Sequence, residues 1–209
     1  MRLYLIRHGE THWNKEERVQ GKSDIALTDL GRQQAACLAE VLSHENIAAV
    51  YSSPMIRAVE TASTIARPHG LEVRQECALL ELDEGELDGL TYQEMRERYR
   101  DFLIEWRDRA ANLPLPGGGE SLQQCQERAW GFVRALRERH PDEAVVAVSH
   151  NFTILCIICR AIRLDLSDFR RLRQDVAAMS VLDFGEWGPA LVAFNDTCHW
   201  RRDSRCARA

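Results

Sequence analysis

Leu3-Tyr4-Leu5-Ile6-Arg7-His8-Gly9-Glu10-Thr11 sets an arginine and a histidine directly on the end of a short apolar run. The apolar part has the length of a buried parallel strand, and open α/β sheets bind their ligands just beyond the carboxyl ends of such strands. Arg7 and His8 therefore stand where a substrate would. A guanidinium suits bidentate phosphate binding, an imidazole can act as a nucleophile, and Gly9 lets the backbone turn tightly against a ligand.

Outward from this stretch, apolar runs alternate with amphipathic ones. That pattern predicts a three-layer α/β/α sandwich with a mostly parallel central sheet and a small helical insertion over the site. Strands are expected near residues 3–6, 47–51, 71–74, 144–148, 179–182 and 190–194. Thr28 caps a helix whose Ala35, Leu38, Ala39 and Leu42 recur at helical spacing, and Pro54 reads as the first residue of a helix running to about Arg67. Two Arg- and Glu-rich helical pieces cover 91–112, a long helix runs from Glu120-Ser121 to His140, and another runs from Phe152 to Ile162. The break Leu113-Pro114-Leu115-Pro116-Gly117-Gly118-Gly119 closes the insertion, about 90–117, within one domain spanning 1–209. The basic end, about 201–209, is expected to be a flexible tail.

The formal net charge of -5 over 209 residues argues against a nucleic-acid partner, and no apolar stretch is long enough for a membrane helix. Charge arrives too early at the N-terminus for a secretory signal, so a cytoplasmic location is expected, with the seven cysteines reduced. Cys156 and Cys159 form a C-x-x-C, yet their neighbours Ile154, Leu155, Ile157 and Ile158 are apolar, which reads as buried packing.

His150, in Val148-Ser149-His150-Asn151, repeats the placement of His8: both follow a strand, and the two strands are candidates for neighbours in one parallel sheet. Arg57 lies in the first turns of the helix after the second strand, where helix N-termini favour anions. Two guanidiniums and two imidazoles at one sheet edge describe a phosphoryl site. His12, His44, His69 and His140 fall in loops or at helix ends and read as solvated.

These motifs follow an order that resembles the histidine phosphatase superfamily, which includes the cofactor-dependent phosphoglycerate mutases. The series is Arg7-His8-Gly9-Glu10-Thr11, Trp13-Asn14, Gln20-Gly21, Leu27-Thr28-Asp29-Leu30-Gly31-Arg32, Ser52-Ser53-Pro54 with Arg57-Ala58 and Glu60-Thr61-Ala62, Gly118-Gly119-Glu120-Ser121 and Val148-Ser149-His150. It covers about residues 2–200. The resemblance implies a phosphomonoesterase needing neither metal nor cofactor, with a small-molecule phosphomonoester of phosphoserine, phosphoglycerate or sugar-phosphate type as substrate. His8 is then the nucleophile, and Arg7, Arg57 and His150 stabilise the charge on the transferring group. Asn14, Gln20, Gly21 and Asn151 bind the phosphoryl group. Glu81 is the general acid, its pKa raised by crowding with Asp83, Glu84 and Glu86, while Asp83, Glu86 and Asp88 read as solvated. A homodimer is common among the family's members.

Some residues depart from the pattern. Glu84 stands beside the leaving group where an aromatic, a small residue or a histidine is usual, and a carboxylate there is expected to repel doubly anionic substrates. Asn151 replaces a common Gly, Asp175-Val176-Ala177-Ala178 replaces a more polar stretch, and His199 reads as structural support. The alternatives are a cofactor-dependent phosphoglycerate mutase, disfavoured by the short insertion, and a non-catalytic phospho-ligand binding protein, disfavoured because no site residue is missing.

Overall fold

The computed structural model describes residues 1–201, without the side chain of Arg201; the expected tail otherwise lies outside the described residues. The chain runs β1 (Arg2–Arg7), α1 (His12–Lys15), α2 (Asp29–Leu42), β2 (Ile47–Ser52), α3 (Ile56–Ala66), β3 (Val73–Gln75), α4 (Tyr92–Arg98), α5 (Arg100–Arg109) and α6 (Leu122–Arg139). It continues with β4 (Ala144–Ser149), α7 (Asn151–Ala161), β5 (Met179–Gly185), β6 (Gly188–Asp196) and α8 (Cys198–Arg201). The strands form one sheet in the order β3-β2-β4-β1-β5-β6. The first four of these are parallel, and β5 and β6 run antiparallel at one side.

Alternation along β1 builds both outer layers. Leu3 and Leu5 point to the side of α6 and α7, packing with Phe132, Leu136, Ile154 and Ile158. Tyr4 and Ile6 point to the other side, against Leu38 and Leu42 of α2 and Ala62 and Ile65 of α3. Successive strand side chains face opposite ways, so one apolar run serves two cores and β1 must be central. This is the three-layer sandwich the alternation predicts.

A third apolar cluster joins the cap region to α6 and α7. It contains Val19, Leu87, Leu115, Cys125, Cys156, Cys159 and Phe169, with Met95, Phe102 and Trp106 packed against it. Cys156 and Cys159 are thus core residues, and burial pushes the Cys159 thiol up to about 11. Among the described residues no helix is long and apolar enough to cross a membrane.

Three local expectations change. The helix expected to begin at Pro54 begins at Ile56, because Ser53-Pro54-Met55 is spent on a bend that brings the Ser53 hydroxyl to His150. The third strand starts at Val73 because Gly70, at φ 65, ends a 3-10 turn and the Leu71 N–H is tied back to Ala66. His140 is buried, not solvated: one ring nitrogen meets the Tyr51 hydroxyl at 3.0 Å and the other Glu143 at 2.5 Å.

Candidate active site

Parallel pairing of β1 with β4 sets Arg7 opposite Ser149, so the residues that follow, His8 and His150, emerge side by side. The His8 N–H donates to the Ser149 carbonyl at 3.1 Å, and the two rings meet edge-on with centroids 5.1 Å apart. The β1 end is further fixed by Ala178 and Ala177, which accept from the Arg7 N–H and donate to the His8 carbonyl. His199 stands in α8, where burial holds its ring below the ordinary histidine range. Gly9 is required by the crossing over α2, since a side chain there would put its Cβ 2.4 Å from the Gly31 carbonyl oxygen.

The hydrogen bonds fix both histidine tautomers. His8 Nδ1 lies 2.8 Å from the Gly9 carbonyl, which can only accept, so Nδ1 carries the hydrogen and Nε2 keeps its lone pair. Burial, then the Arg57 and Arg7 charges, push His8 well below the ordinary histidine range, so the ring is neutral near pH 7. His150 has the opposite tautomer: Nδ1 accepts from Arg57 Nε at 3.2 Å, leaving Nε2–H to donate to Ser53 Oγ at 2.8 Å. Burial again leads the causes that keep it neutral.

Arg57 is fully buried and organises this floor. Besides His150 it donates to the carbonyls of Ser23 at 2.8 Å and Gly21 at 2.9 Å, which leaves one N–H on each terminal nitrogen for a further acceptor. Burial lowers its pKa to about 10, so it remains cationic at neutral pH. Arg7 donates to the Gln174 carbonyl at 2.6 Å, while its Nε is buried with no partner. Gln20 accepts from Thr11 Oγ1 at 2.8 Å, and its Nε2 is also buried without one. Asn14 is held by a capping box with Thr11 at the start of α1.

Arg7, His8, Asn14, Gln20, Glu81, Glu84 and Asn151 line one cavity of about 380 Å³. Arg57, His150 and Gly21 are not among its lining residues, and Arg57 bonds both His150 and the Gly21 carbonyl. The rest of the wall is largely apolar, with Val19, Leu87, Leu115 and Phe152 joined by Met95 of α4 and Leu103 and Trp106 of α5.

Glu81 accepts backbone N–H bonds from Leu82 at 2.9 Å, Phe152 at 3.1 Å and Thr153 at 3.2 Å, the last two at the start of α7. Its pKa is raised, but burial is the main cause, while Leu82, Arg7, Phe152 and Arg57 lower it; crowding by Asp83, Glu84 and Glu86 does not lead. Glu84 is buried too, and burial followed by the charges of Glu81 and Asp88 pushes it well above the usual carboxylate range. The repulsion expected of an ionised Glu84 gives way to a carboxyl that favours its neutral form. Asp88 is not a solvated carboxylate: it accepts from Gly21 N, Ser23 N and Ser23 Oγ, each at 2.9 Å, and so fixes the loop under Arg57.

Sequence reasoning missed the residue that holds the acidic segment. Arg128 of α6 pairs with both oxygens of Glu120 at 2.8 and 2.9 Å and donates to the carbonyls of Ala78, Leu80 and Glu81. Glu120 in turn accepts from the Asp83 N–H at 3.1 Å. Arg128 lies mid-helix, where an arginine ordinarily reads as solvent-facing; the partnered Glu120 beside the Gly-rich break was the available signal. Among the described residues no group of three or more His, Cys, Asp or Glu is arranged to hold a metal ion.

The family model of the histidine phosphatase superfamily (branch 1) matches residues 3–197. Phosphoserine phosphatase 1 of Hydrogenobacter thermophilus is 36% identical over 199 residues, covering 95% of this chain and 94% of that protein. A probable phosphoglycerate mutase of Cronobacter sakazakii, GpmB, is 34% identical over 191 residues, covering 88% and 85%. A solved mycobacterial glucosyl-3-phosphoglycerate phosphatase in complex with VO3 superposes with a TM-score of 0.85 at 31% identity, covering 93% of this chain and 98% of that one.

Proposed function

The chain belongs to the histidine phosphatase superfamily (branch 1) and is a phosphatase of small phosphorylated metabolites, and from that premise we propose that the phosphoryl group passes through a phosphohistidine on His8. The observation that carries this reading is the neutral His8 ring with its Nδ1–H bound to Gly9 and its Nε2 lone pair free, beside Arg7 and His150. A neutral nitrogen attacks phosphorus directly, and splitting hydrolysis into two transfers replaces one hard step by two easier ones.

Roles follow from what each group offers. Arg7 Nε and Gln20 Nε2 are buried donors without protein partners, suited to the phosphoryl oxygens. Asn14 and Asn151 border the same cavity, and Arg57, with Gly21 bound to it, supplies fixed positive charge from below. Preorganised donors of this kind act on the charge that spreads over the equatorial oxygens during transfer. His150, a neutral N–H donor, keeps Arg57 and the His8 ring in register. The leaving oxygen takes its proton from Glu81, whose carboxyl burial holds above its usual range, with Glu84 in the same cavity beside the leaving group. No step in this scheme calls for a metal. The whole chain acts as one phosphatase domain, with α4 and α5 as a short cap over the leaving group.

The substrate is a monoester of the phosphoserine, phosphoglycerate or sugar-phosphate type, a reading supported by the phosphoserine, phosphoglycerate and glucosyl-3-phosphoglycerate in the names of its relatives. Brief exposure to a ³²P-labelled phosphomonoester followed by acid-free quenching is expected to leave label on His8, and none on His8→Ala. Absence of label in the unaltered enzyme during turnover overturns the phosphohistidine. Incubation with 3-phosphoglycerate, with and without a bisphosphoglycerate primer, is expected to release inorganic phosphate; formation of the isomer instead makes the protein a mutase.

A further inference from the structure

Beyond the groups that face the phosphate, the cavity wall is largely apolar, and its volume of about 380 Å³ falls in the range of pockets that enclose a whole small molecule. Met95 comes from α4, Leu103 and Trp106 from α5, and Phe152 from the first turn of α7. Trp106 is pinned in place: its ring meets Phe152 and Phe169 edge-on, with centroids 6.2 and 5.7 Å away, and the Arg170 guanidinium lies 4.6 Å from its centroid. A fixed apolar surface of this kind favours a ligand with C–H surface to bury. One polar group in the wall is left open. Glu84 is 7% exposed, and among the described residues its carboxyl has no hydrogen-bond partner. A buried polar group without a partner is costly, and a ligand that supplies the partner removes that cost.

We propose that the leaving alcohol is an uncharged ring of sugar type, with one hydroxyl bound by Glu84 and its C–H surface laid against Met95, Leu103, Trp106 and Phe152. This rests on the substrate reading given above and narrows it, since of the phosphoserine, phosphoglycerate and sugar-phosphate types the wall selects the last. Glu84 then reads the alcohol, while Glu81 supplies its proton.

The charges around Glu84 favour a hydroxyl over a second anion. Burial, then the charges of Glu81 and Asp88, hold Glu84 well above the usual carboxylate range, and its neutral form offers an O–H and a carbonyl oxygen, which a hydroxyl meets as acceptor or as donor. Asp83 adds to the same negative field. The cations that border the cavity are Arg7 at the floor, Arg18 and Arg96. Arg18 is engaged by Glu16 and the Gly89 carbonyl, and Arg96 is exposed and donates to the Tyr92 carbonyl. The carboxylate of a phosphoserine or a phosphoglycerate would therefore enter a wall whose buried charges are acidic.

Four primary alkyl phosphates test it, all needing the same proton on the leaving oxygen: glucose 6-phosphate, phosphoserine, 3-phosphoglycerate and cyclohexylmethyl phosphate, the last a ring without hydroxyls. We expect kcat/KM to be highest for glucose 6-phosphate, by about 10-fold or more over each of the others. In Glu84→Leu its lead over cyclohexylmethyl phosphate is expected to shrink by about 10-fold, the worth of one hydrogen bond in an enclosed site, whereas Glu84→Gln, which keeps a donor and an acceptor, retains most of it. Among the monodeoxy glucose 6-phosphates, one should lose about the same factor, and its loss should not add to that of Glu84→Leu, a coupling that a merely structural side chain would not show. A higher value for phosphoserine or 3-phosphoglycerate overturns the substrate class, and an undiminished lead in Glu84→Leu overturns Glu84 as its reader. The ranking in the unaltered enzyme decides the class even if Glu84→Leu does not fold. Label on His8, read with each ester, separates the two ideas, since its absence during turnover overturns the phosphohistidine and not the substrate class.

Discussion

The floor of the cavity and its wall are made in different ways. The floor is two parallel strand ends and one buried arginine, with each histidine tautomer dictated by a neighbour that can only accept or only donate. The wall is a loop with 3-10 turns at Cys77–Leu79 and Gly85–Leu87, held from behind by Arg128 and Glu120, with α4 and α5 leaning over it. Fixed geometry suits the step common to every phosphomonoester, the attack on phosphorus. A separately anchored loop suits the part that differs between substrates, the leaving group. The difference teaches that reaction and specificity can be altered independently in this molecule.

The comparison breaks most visibly at the floor. His8→Ala is expected to lower kcat by about 10⁴-fold or more for every substrate, as loss of a nucleophile does; substrate-dependent residual activity would mean that the floor is not common to all. Next in size is Arg57→Lys, which keeps the charge but loses the fork that ties His150, Gly21 and Ser23 together. We expect a fall of about 10²–10³ in kcat, because an ammonium cannot replace three directed donors. Matched thermal melts and kinetics check it, and full activity in this variant would remove Arg57 from the reaction.

Much of the floor was legible before any coordinates. Leu3 to Ile6 and Val145 to Val148 are continuous apolar runs, so the polar residue that ends each one announces itself. The wall was less legible for a physical reason. Asp88 and Arg128 look like solvated charges in the chain and Glu84 like an ionised carboxylate beside the leaving group, and only tertiary burial turns Asp88 into a loop anchor, Arg128 into a clamp and Glu84 into a carboxyl held well above its usual range. The late start of α3 was hidden likewise, since nothing near Ser53 reveals that its hydroxyl is claimed by His150, far along the chain.

Arg128→Ala sharpens the contrast at intermediate size. It frees the carbonyls of Ala78, Leu80 and Glu81, and a displacement of the wall on the order of 1 Å costs about 10–10²-fold in rate. The loss is expected mainly on alkyl esters, with the His8 label still formed; equal loss on all esters would tie wall and floor together.

The smallest effect lies in stability and its pH dependence. His8 and His150 refuse protons when folded that they accept when unfolded, so their contribution to stability falls as pH drops below about 6.5. Glu84 has the opposite sign: its folded acid keeps a proton that the unfolded chain releases above about pH 4.3, so stability declines as pH rises past that point. Glu84→Gln removes this second slope. Its Tm relative to the parent is expected to be higher at pH 8 than at pH 4, and a difference independent of pH would contradict a buried neutral acid.

The pairing of β1 with β4 has a further consequence, for the order in which the chain becomes an enzyme. The strand bearing His8 precedes the other five in the sequence, yet its parallel neighbour, Ala144–Ser149, comes about two-thirds of the way along the chain, and its other neighbour, Met179–Gly185, comes later still. Until both have emerged, His8 has no adjacent ring and its strand has two open edges in need of cover. Contacts of such long sequence separation form late and fold slowly. Phosphatase activity is thus itself a readout of completed folding: a truncated or half-assembled chain can hold every residue of the floor and still not hold a floor.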